Sequence, residues 1–290
     1  MKQKSFALIL FVVVITLAAG WLFYDNIEKY FFASGEISVQ IPAGNNEIAD
    51  EKEGLQERIP MPPRHPVLQT ETSSVVDEPQ LIEPPLPAFL EEADAYLDER
   101  LQQLIADRNL LALVNLNYFI QKLVLFIDNL PEKSIPRLHL PITPPKPGFI
   151  TSMNGDQQVI GPRNSGRYSA YVRLVEAIPD APLLRLYRGL YPLFQQAYRE
   201  AGDPNAHFND RLIQVIDNLL ETPEPQEPIR VIYHVSRYKY ADELLEAGSA
   251  GQKILLRMGV ENTRRVKDKL QRLREGLIRK DGVGFSMNSG

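Results

Sequence analysis

The 290-residue chain contains no cysteine, which excludes disulfides, thiolate zinc sites and cysteine nucleophiles and is compatible with an oxidising compartment. Histidine is scarce, with His65, His139, His207 and His234 the only four. No H-E-x-x-H, G-x-S-x-G, Walker loop or G-x-G-x-x-G occurs, so the usual zinc-protease, serine-hydrolase and nucleotide-binding constellations are missing. Gly248 to Gly251 reads G-S-A-G ahead of Lys253; without a preceding strand or a G-K-[ST] ending it marks a helix boundary. Long apolar runs are also rare, and the exception lies at the N-terminus.

Phe6 to Phe23 is apolar apart from Thr16. About 18 helical residues span ~27 Å, close to the hydrocarbon thickness of a bilayer. Lys2 and Lys4 precede this run and Asp25 and Glu28 follow it. The positive-inside rule then places residues 1–5 in the cytoplasm, a single-pass anchor over 6–24, and the rest across the membrane. Trp21, Phe23 and Tyr24 suit the far interface. A cleaved signal peptide is the rival reading, but Trp21-Leu22-Phe23 stays apolar past the small residues Ala18 and Gly20. Residues 34–85 are rich in proline and glutamate and poor in large apolar side chains. Such a stretch buries too little surface to offset its ordering entropy, so a disordered linker is expected. About 50 flexible residues reach ~40 Å, which tethers the following domain rather than seating it on the bilayer.

Residues 86–280 are expected to form a mainly α domain, a multi-helix bundle of helical hairpins with a small β-hairpin element, ending in a flexible tail over 281–290. The opening helix carries Leu90, Ala93, Leu97, Leu101 and Leu104 on one face, with Glu91, Glu92 and Asp94 at its positive end. A second helix is expected near Leu113 to Leu130, followed by a broken proline crossing from 131 to 147. Asn154-Gly155 signals a hairpin within Phe149 to Ile160, and the β-rich Ile229 to Val235 is a candidate to pair with it. Helices resume over Ser165 to Ile178 and after Pro182.

The densest apolar and aromatic stretch is Leu183 to Leu220. Leu183, Leu186, Tyr187, Leu190, Phe194 and Tyr198 share a helical face, and Phe208, Leu212, Val215 and Leu219 share the next. Gly202 to Asn205 break the pattern, with Asn205 placed to cap the second helix. Gly189 and Pro192 predict a kink or restart in the first. Phe119 to Leu130 and Phe208 to Leu219 also match without a gap in Phe, a basic residue, Leu and Ile-Asp-Asn-Leu. A duplicated helical hairpin and a shared apolar spacing both explain the echo. Asp128 and Asp217 then fall at helix C-termini, where a carboxylate opposes the dipole and calls for an Arg or backbone partner.

Chemistry-bearing residues gather in the same stretch. Tyr191, Gln195, Tyr198, Asn209, Asp210 and Arg211 border its apolar faces and are the candidate partner-binding set; half-buried packing with polar tips in water is the alternative. His207 stands three residues before Asp210, and a first-turn structural role for the pair outweighs an acid–base couple. No catalytic, cofactor or metal residues are assigned. Charge is uneven: residues 36–99 carry fifteen acids against three bases, and 253–280 ten bases against three acids. On the last helix Val266, Leu270, Leu273 and Leu277 form a packing stripe, leaving the bases on a solvated face. Anionic headgroups, cell-wall carboxylates or the acidic tether are candidate counterparts of that face; nucleic acid is not an expected partner.

The blocks L-Y-R-G-L-Y-P-L-F-Q-Q-A-Y-R-E-A-G, H-F-N-D-R-L-I-Q-V-I-D and A-G-Q-K-I-L-L-R-M-G-V-E-N-T-R-R-V-K-D-K-L resemble a bacterial family of uncharacterised, membrane-anchored proteins, known only as a domain of unknown function and found mainly in Gram-negative bacteria. The resemblance covers roughly residues 84–277, and Val260 stands where the family pattern has proline. It implies one N-terminal anchor, over 6–24 in the inner membrane with the domain in the periplasm, and no assigned activity, catalytic residue or cofactor. Two functional classes follow. One is a non-enzymatic envelope module that binds or scaffolds a protein or cell-wall polymer at the end of its tether. The other is a periplasmic hydrolase or transferase using Asp210 with His207 or Tyr191.

Overall fold

The computed structural model describes residues 62–67, 85–136, 140–146, 148–202, 204–226, 228–235 and 237–278. The expected anchor over 6–24, the tail over 281–290, His139 and the 34–85 linker apart from residues 62–67 and Pro85 lie outside the described residues. Among the described residues no helix is long and apolar enough to cross a membrane.

The architecture is mainly helical with two small antiparallel hairpins. Helix α1, Leu90–Leu104, buries Leu90, Ala93, Leu97 and Leu101, as its spacing dictates. A single turn, α2 (Arg108–Leu111), is capped by the Asp107 carboxylate, which accepts from Asn109 N–H. Helix α3, Phe119–Asn129, begins later than the sequence indicates. The chain before it is pinned to the proline crossing, with Asn115 N–H donating to Pro141 O and Thr143 N–H to Leu113 O, both at 2.9 Å. Those backbone bonds, with the Val114–Ile142 bridge, take residues 113–115 out of the helix.

The first hairpin pairs β1 (Thr151–Asn154) with β2 (Gln157–Ile160), and Gly155 turns it at φ +59°. A 3-10 segment, Pro162–Tyr168, leads into α4, Ser169–Ala177, where one helix from Ser165 was expected. Helix α5, Asp180–Ala201, runs through Pro192 without a restart. The proline is exposed, and the cost of ~3 kcal/mol for a lost hydrogen bond and ring clash is borne by the apolar face on either side of it. Gly189 gives Leu86 room to lie on this helix, since a Cβ there would come within 3.2 Å of the Leu86 side chain.

Helix α6 is Phe208–Leu220. Its N-cap residue is His207 rather than Asn205. The β-rich segment forms β3, Val231–His234, but pairs with β4, Arg237–Tyr240, in a hairpin of its own. The Val159–Arg230 bridge, Ile160 N–H to Ile229 O at 2.9 Å and Gln158 Nε2 to the Tyr238 hydroxyl at 3.1 Å link the two hairpins. After α7 (Glu243–Ala247), Ser249 opens α8, Ala250–Met258, with a capping box in which Gln252 reciprocates. Helix α9 is Val260–Ile278.

One core joins these helices, and its largest fully buried side chains include Tyr168, Tyr187, Phe119, Phe126, Phe194 and Phe208. The α9 stripe of Val266, Leu270, Leu273 and Leu277 is buried in it. The bases of α9 do not form a free solvated face. Arg264 and Lys267 pair with Glu224, Arg265 with Glu176, Lys269 and Arg272 with Asp180, and Arg274 with Asp217. Lys269 is 3% exposed, and its ammonium also donates to Ile178 O at 2.7 Å. Burial lowers its pKa, and the Asp180 carboxylate opposes that shift.

Candidate functional site

The site is built where α5 turns into α6. Phe208 enters the core as the first residue of α6, its ring stacked on Phe194 with centroids 5.6 Å apart and planes 4° from parallel. Tyr198 packs on the same ring at 5.5 Å. With no side-chain cap from His207, the first helical N–H is satisfied across the turn: Phe208 N–H donates to Gln195 Oε1 at 3.0 Å. Gln195 Nε2 in turn donates to Ala206 O at 2.7 Å, and the Tyr191 hydroxyl donates to Gln195 Oε1 at 2.9 Å. Gln195 and Tyr191 therefore hold the turn together.

Asn209 and Asp210 follow in the first turn of α6. Asn209 is fully buried and works in two directions. Its Oδ1 accepts from the Tyr187 hydroxyl at 3.0 Å, and its Nδ2 donates to His65 O at 2.8 Å. Asp210 receives Arg64 N–H on Oδ2 at 2.9 Å and His65 N–H on Oδ1 at 2.8 Å. Residues 62–67 thus lie against the domain, with Val67 packed on the main core. Burial holds the Tyr187 hydroxyl well above its ordinary pKa, and neighbouring Tyr191 and the Asp210 charge push the same way. The Tyr191 hydroxyl is raised for the same leading reason. Both remain donors at neutral pH.

Five of the six candidate residues, Tyr191, Gln195, Tyr198, Asn209 and Asp210, meet around this turn. Asn209 and Asp210 reach back to residues 64 and 65. Arg211 turns away to α3, where Nε donates to Asp128 Oδ1 and a terminal guanidinium nitrogen to Asp128 O, both at 2.7 Å. His207 supplies a carbonyl that accepts from Arg211 N–H at 3.2 Å. Both oxygens that an Asp210 acid–base couple would use carry backbone hydrogen bonds. Among the described residues no three His, Asp or Glu side chains gather in a way that could hold a metal ion. A cleft of about 160 Å³ is lined by other residues, among them Pro223, Pro225, Leu256 and Val260.

A family model described as a protein of unknown function, DUF3014, matches residues 119–274, more than half of the chain. The chain belongs to the DUF3014 family. No curated protein and no solved structure matches it. The DUF3014 match contains the turn from Tyr191 to Arg211 and excludes residues 62–67 and α1. The site is therefore family sequence, and the segment lying on it comes from outside the matched region.

Sequence reasoning missed Arg64, His65 and Val67, because nothing local pairs residues 145 positions apart. The signal available was compositional. In Pro62-Pro63-Arg64-His65-Pro66 only Arg64 and His65 possess a backbone N–H, and both are the ones Asp210 accepts.

Proposed function

We propose that this DUF3014 protein is a non-enzymatic envelope module, held to the inner membrane by residues 6–24, whose folded domain recognises the main chain of a bent polypeptide segment. The observation that carries the reading is the Asn209–Asp210 pair. One carboxylate accepts two consecutive backbone N–H groups, and the adjacent amide donates to the carbonyl of the second residue. Such an arrangement reads main chain, a recognition chemistry independent of a particular side chain. Tyr191 and Gln195 hold the turn and Arg211 binds α3, whereas this pair contacts a segment from outside the family match. The apolar run after Lys2 and Lys4, with the acidic residues beyond it, supports the N-in orientation.

A reporter active only outside the cytoplasm, fused after Gly290, is expected to be active, and a silent fusion overturns the topology. Crosslinking in intact cells tests the binding role. The wild-type chain is expected to give a partner adduct that Asp210→Asn loses while its melting temperature is kept. The same adduct from both chains overturns the assignment of the site.

A further inference from the structure

Residues 62–67 are a ligand in shape and in chemistry. Three prolines in six residues restrict the segment, and the chain bends at Arg64 and His65, which turns both of their N–H groups to the same side. Prolines leave only two N–H groups between positions 62 and 66, and the Asp210 carboxylate takes both. Asn209 takes the carbonyl that follows them, and Val67 adds an apolar anchor on the core. The fully buried Asn209 is fixed from behind by Tyr187, so its amide is aimed before any ligand arrives.

The carboxylate geometry is used a second time in the same fold, where the role is purely structural. Asp94 of α1 accepts Tyr118 N–H at 2.6 Å and Phe119 N–H at 2.9 Å, holding the start of α3. There the two N–H groups belong to a helix that the core already fixes. At Asp210 they belong to a segment outside any helix or strand, whose described contacts are these hydrogen bonds and the packing of Val67.

We propose that Pro62–Val67 is an internal pseudo-ligand, a strap that occupies the Asn209–Asp210 site in cis and must leave before a partner binds there. The partner class is a proline-flanked segment that bends to offer two consecutive backbone N–H groups, followed by a free carbonyl. This inference rests on the binding-module reading and adds its regulation. A segment on the same chain presents itself at an effective concentration on the order of millimolar. A competing peptide of equal intrinsic affinity therefore binds only when it approaches that concentration, or when the strap is withdrawn. Removal of the strap's donors makes the site available without altering the site itself.

The test uses the full chain in detergent micelles. Trypsin cleaves after Arg64, and cleavage after Arg58 serves as the internal reference. Asp210→Asn is expected to speed scission at Arg64 by about tenfold with the Arg58 rate unchanged, the consequence of weakening the strap by one decade in its equilibrium. Equal Arg64 rates in the two chains overturn the strap and leave the cellular adduct test of the binding site untouched. In the second arm, a fluorescent peptide with the sequence of residues 61–69 is titrated onto the wild-type chain and onto R64P/H65P, which removes both strap donors. The variant is expected to bind at least tenfold tighter, and D210N in that background to abolish binding. A peptide that binds neither chain overturns the proposed ligand class even where the trypsin result holds. A doubled mass of the wild-type chain that R64P/H65P returns to a single one places the strap on a second copy and overturns the cis arrangement.

Discussion

Helices α3 and α6 share a sequence pattern and part ways at one end. Each begins with a fully buried phenylalanine, Phe119 or Phe208, and each carries Asp-Asn near its C-terminus. At that end the two are treated alike. Arg211 neutralises Asp128 and Arg274 neutralises Asp217, which removes a carboxylate's conflict with the negative helix end. The N-terminus of α8 then serves both helices, with Gly251 N–H donating to Leu130 O at 2.9 Å and Gln252 Nε2 to Asn218 O at 2.9 Å. The N-terminal ends differ. The start of α3 is closed from outside by Asp94, whereas α6 is closed by Gln195 and turns its own Asp210 outward. In the aligned pattern Gln121 occupies the Asp210 position. The C-terminal ends are held alike, and at the differing N-terminal end α3 receives a carboxylate from α1 whereas α6 offers its own to residues 64 and 65.

The largest effect expected from this comparison is in the core. Phe119→Ala and Phe208→Ala should each cost ~3–5 kcal/mol in chemical denaturation, because each empties a fully buried aromatic site. A nearly neutral Phe119→Ala would reduce the resemblance of the two helices to one of sequence. Next comes their common end. A Cβ on Gly251 would stand 2.5 Å from Leu219 Cδ2 and 3.3 Å from Leu130 O. Gly251→Ala should therefore destabilise by ~1–3 kcal/mol and loosen both helix ends together. Hydrogen exchange that rises at only one of them would break the comparison.

Acid sharpens the contrast by acting on the side held by α9. The hydrogen bond from Arg265 holds the Glu176 carboxyl below its ordinary pKa. For Glu224 the hydrogen bonds from Arg264 and Lys267 do the same. At Asp180 burial pushes upward but is outweighed by Lys269 and Arg272. A carboxyl depressed in the folded state contributes stability that is complete above its unfolded pKa and disappears as pH falls through the folded one. Melting temperature should stay level from pH 7 to about 5 and fall below about pH 4, with amides of α9 exchanging before those of α3. The smallest effect is expected at the α9 start. Gly259 lies at φ +83° and ψ 155°, a conformation that a following proline tolerates, and Val260 is the first helical residue. Val260→Pro should raise stability by ~0.4–1 kcal/mol through the unfolded chain, read as a shifted denaturation midpoint.

Much of this architecture was readable in advance because its determinants are local. The three-and-four spacing of Leu183, Leu186, Tyr187, Leu190 and Phe194 is a helix face, and all of these side chains are buried. Ser249 marks a helix start through its own side chain and that of Gln252. Where the determinant comes from another element, the sequence is silent. Asn205 looked like a cap, but the first N–H of α6 is met by Gln195 from α5, and the helix begins beyond His207. Lys269 looked solvated, but the Asp180 carboxylate and the Ile178 carbonyl make its burial tolerable. Arg237–Tyr240 is too polar to announce a strand, and its pairing with β3 defines it. Of the candidate site, residue types were legible and directions were not. Asp210 faces a segment 145 positions earlier, while Arg211 beside it faces Asp128.

The double duty of α8 has a consequence for the order in which the molecule can be completed. Two carbonyl-bearing helix ends, made early and in mid-chain, wait for one donor-bearing end that is synthesised close to the C-terminus. Contacts that span this much sequence form late, since the intervening loop must close first. A ribosome that has delivered the chain only as far as β4 has delivered every residue of the Asn209–Asp210 site but not the piece that holds the C-terminal ends of α3 and α6. Premature termination there should leave a nascent chain with its aromatic residues in place in sequence and no means of sealing them, a substrate for quality-control proteases rather than a shortened version of the protein.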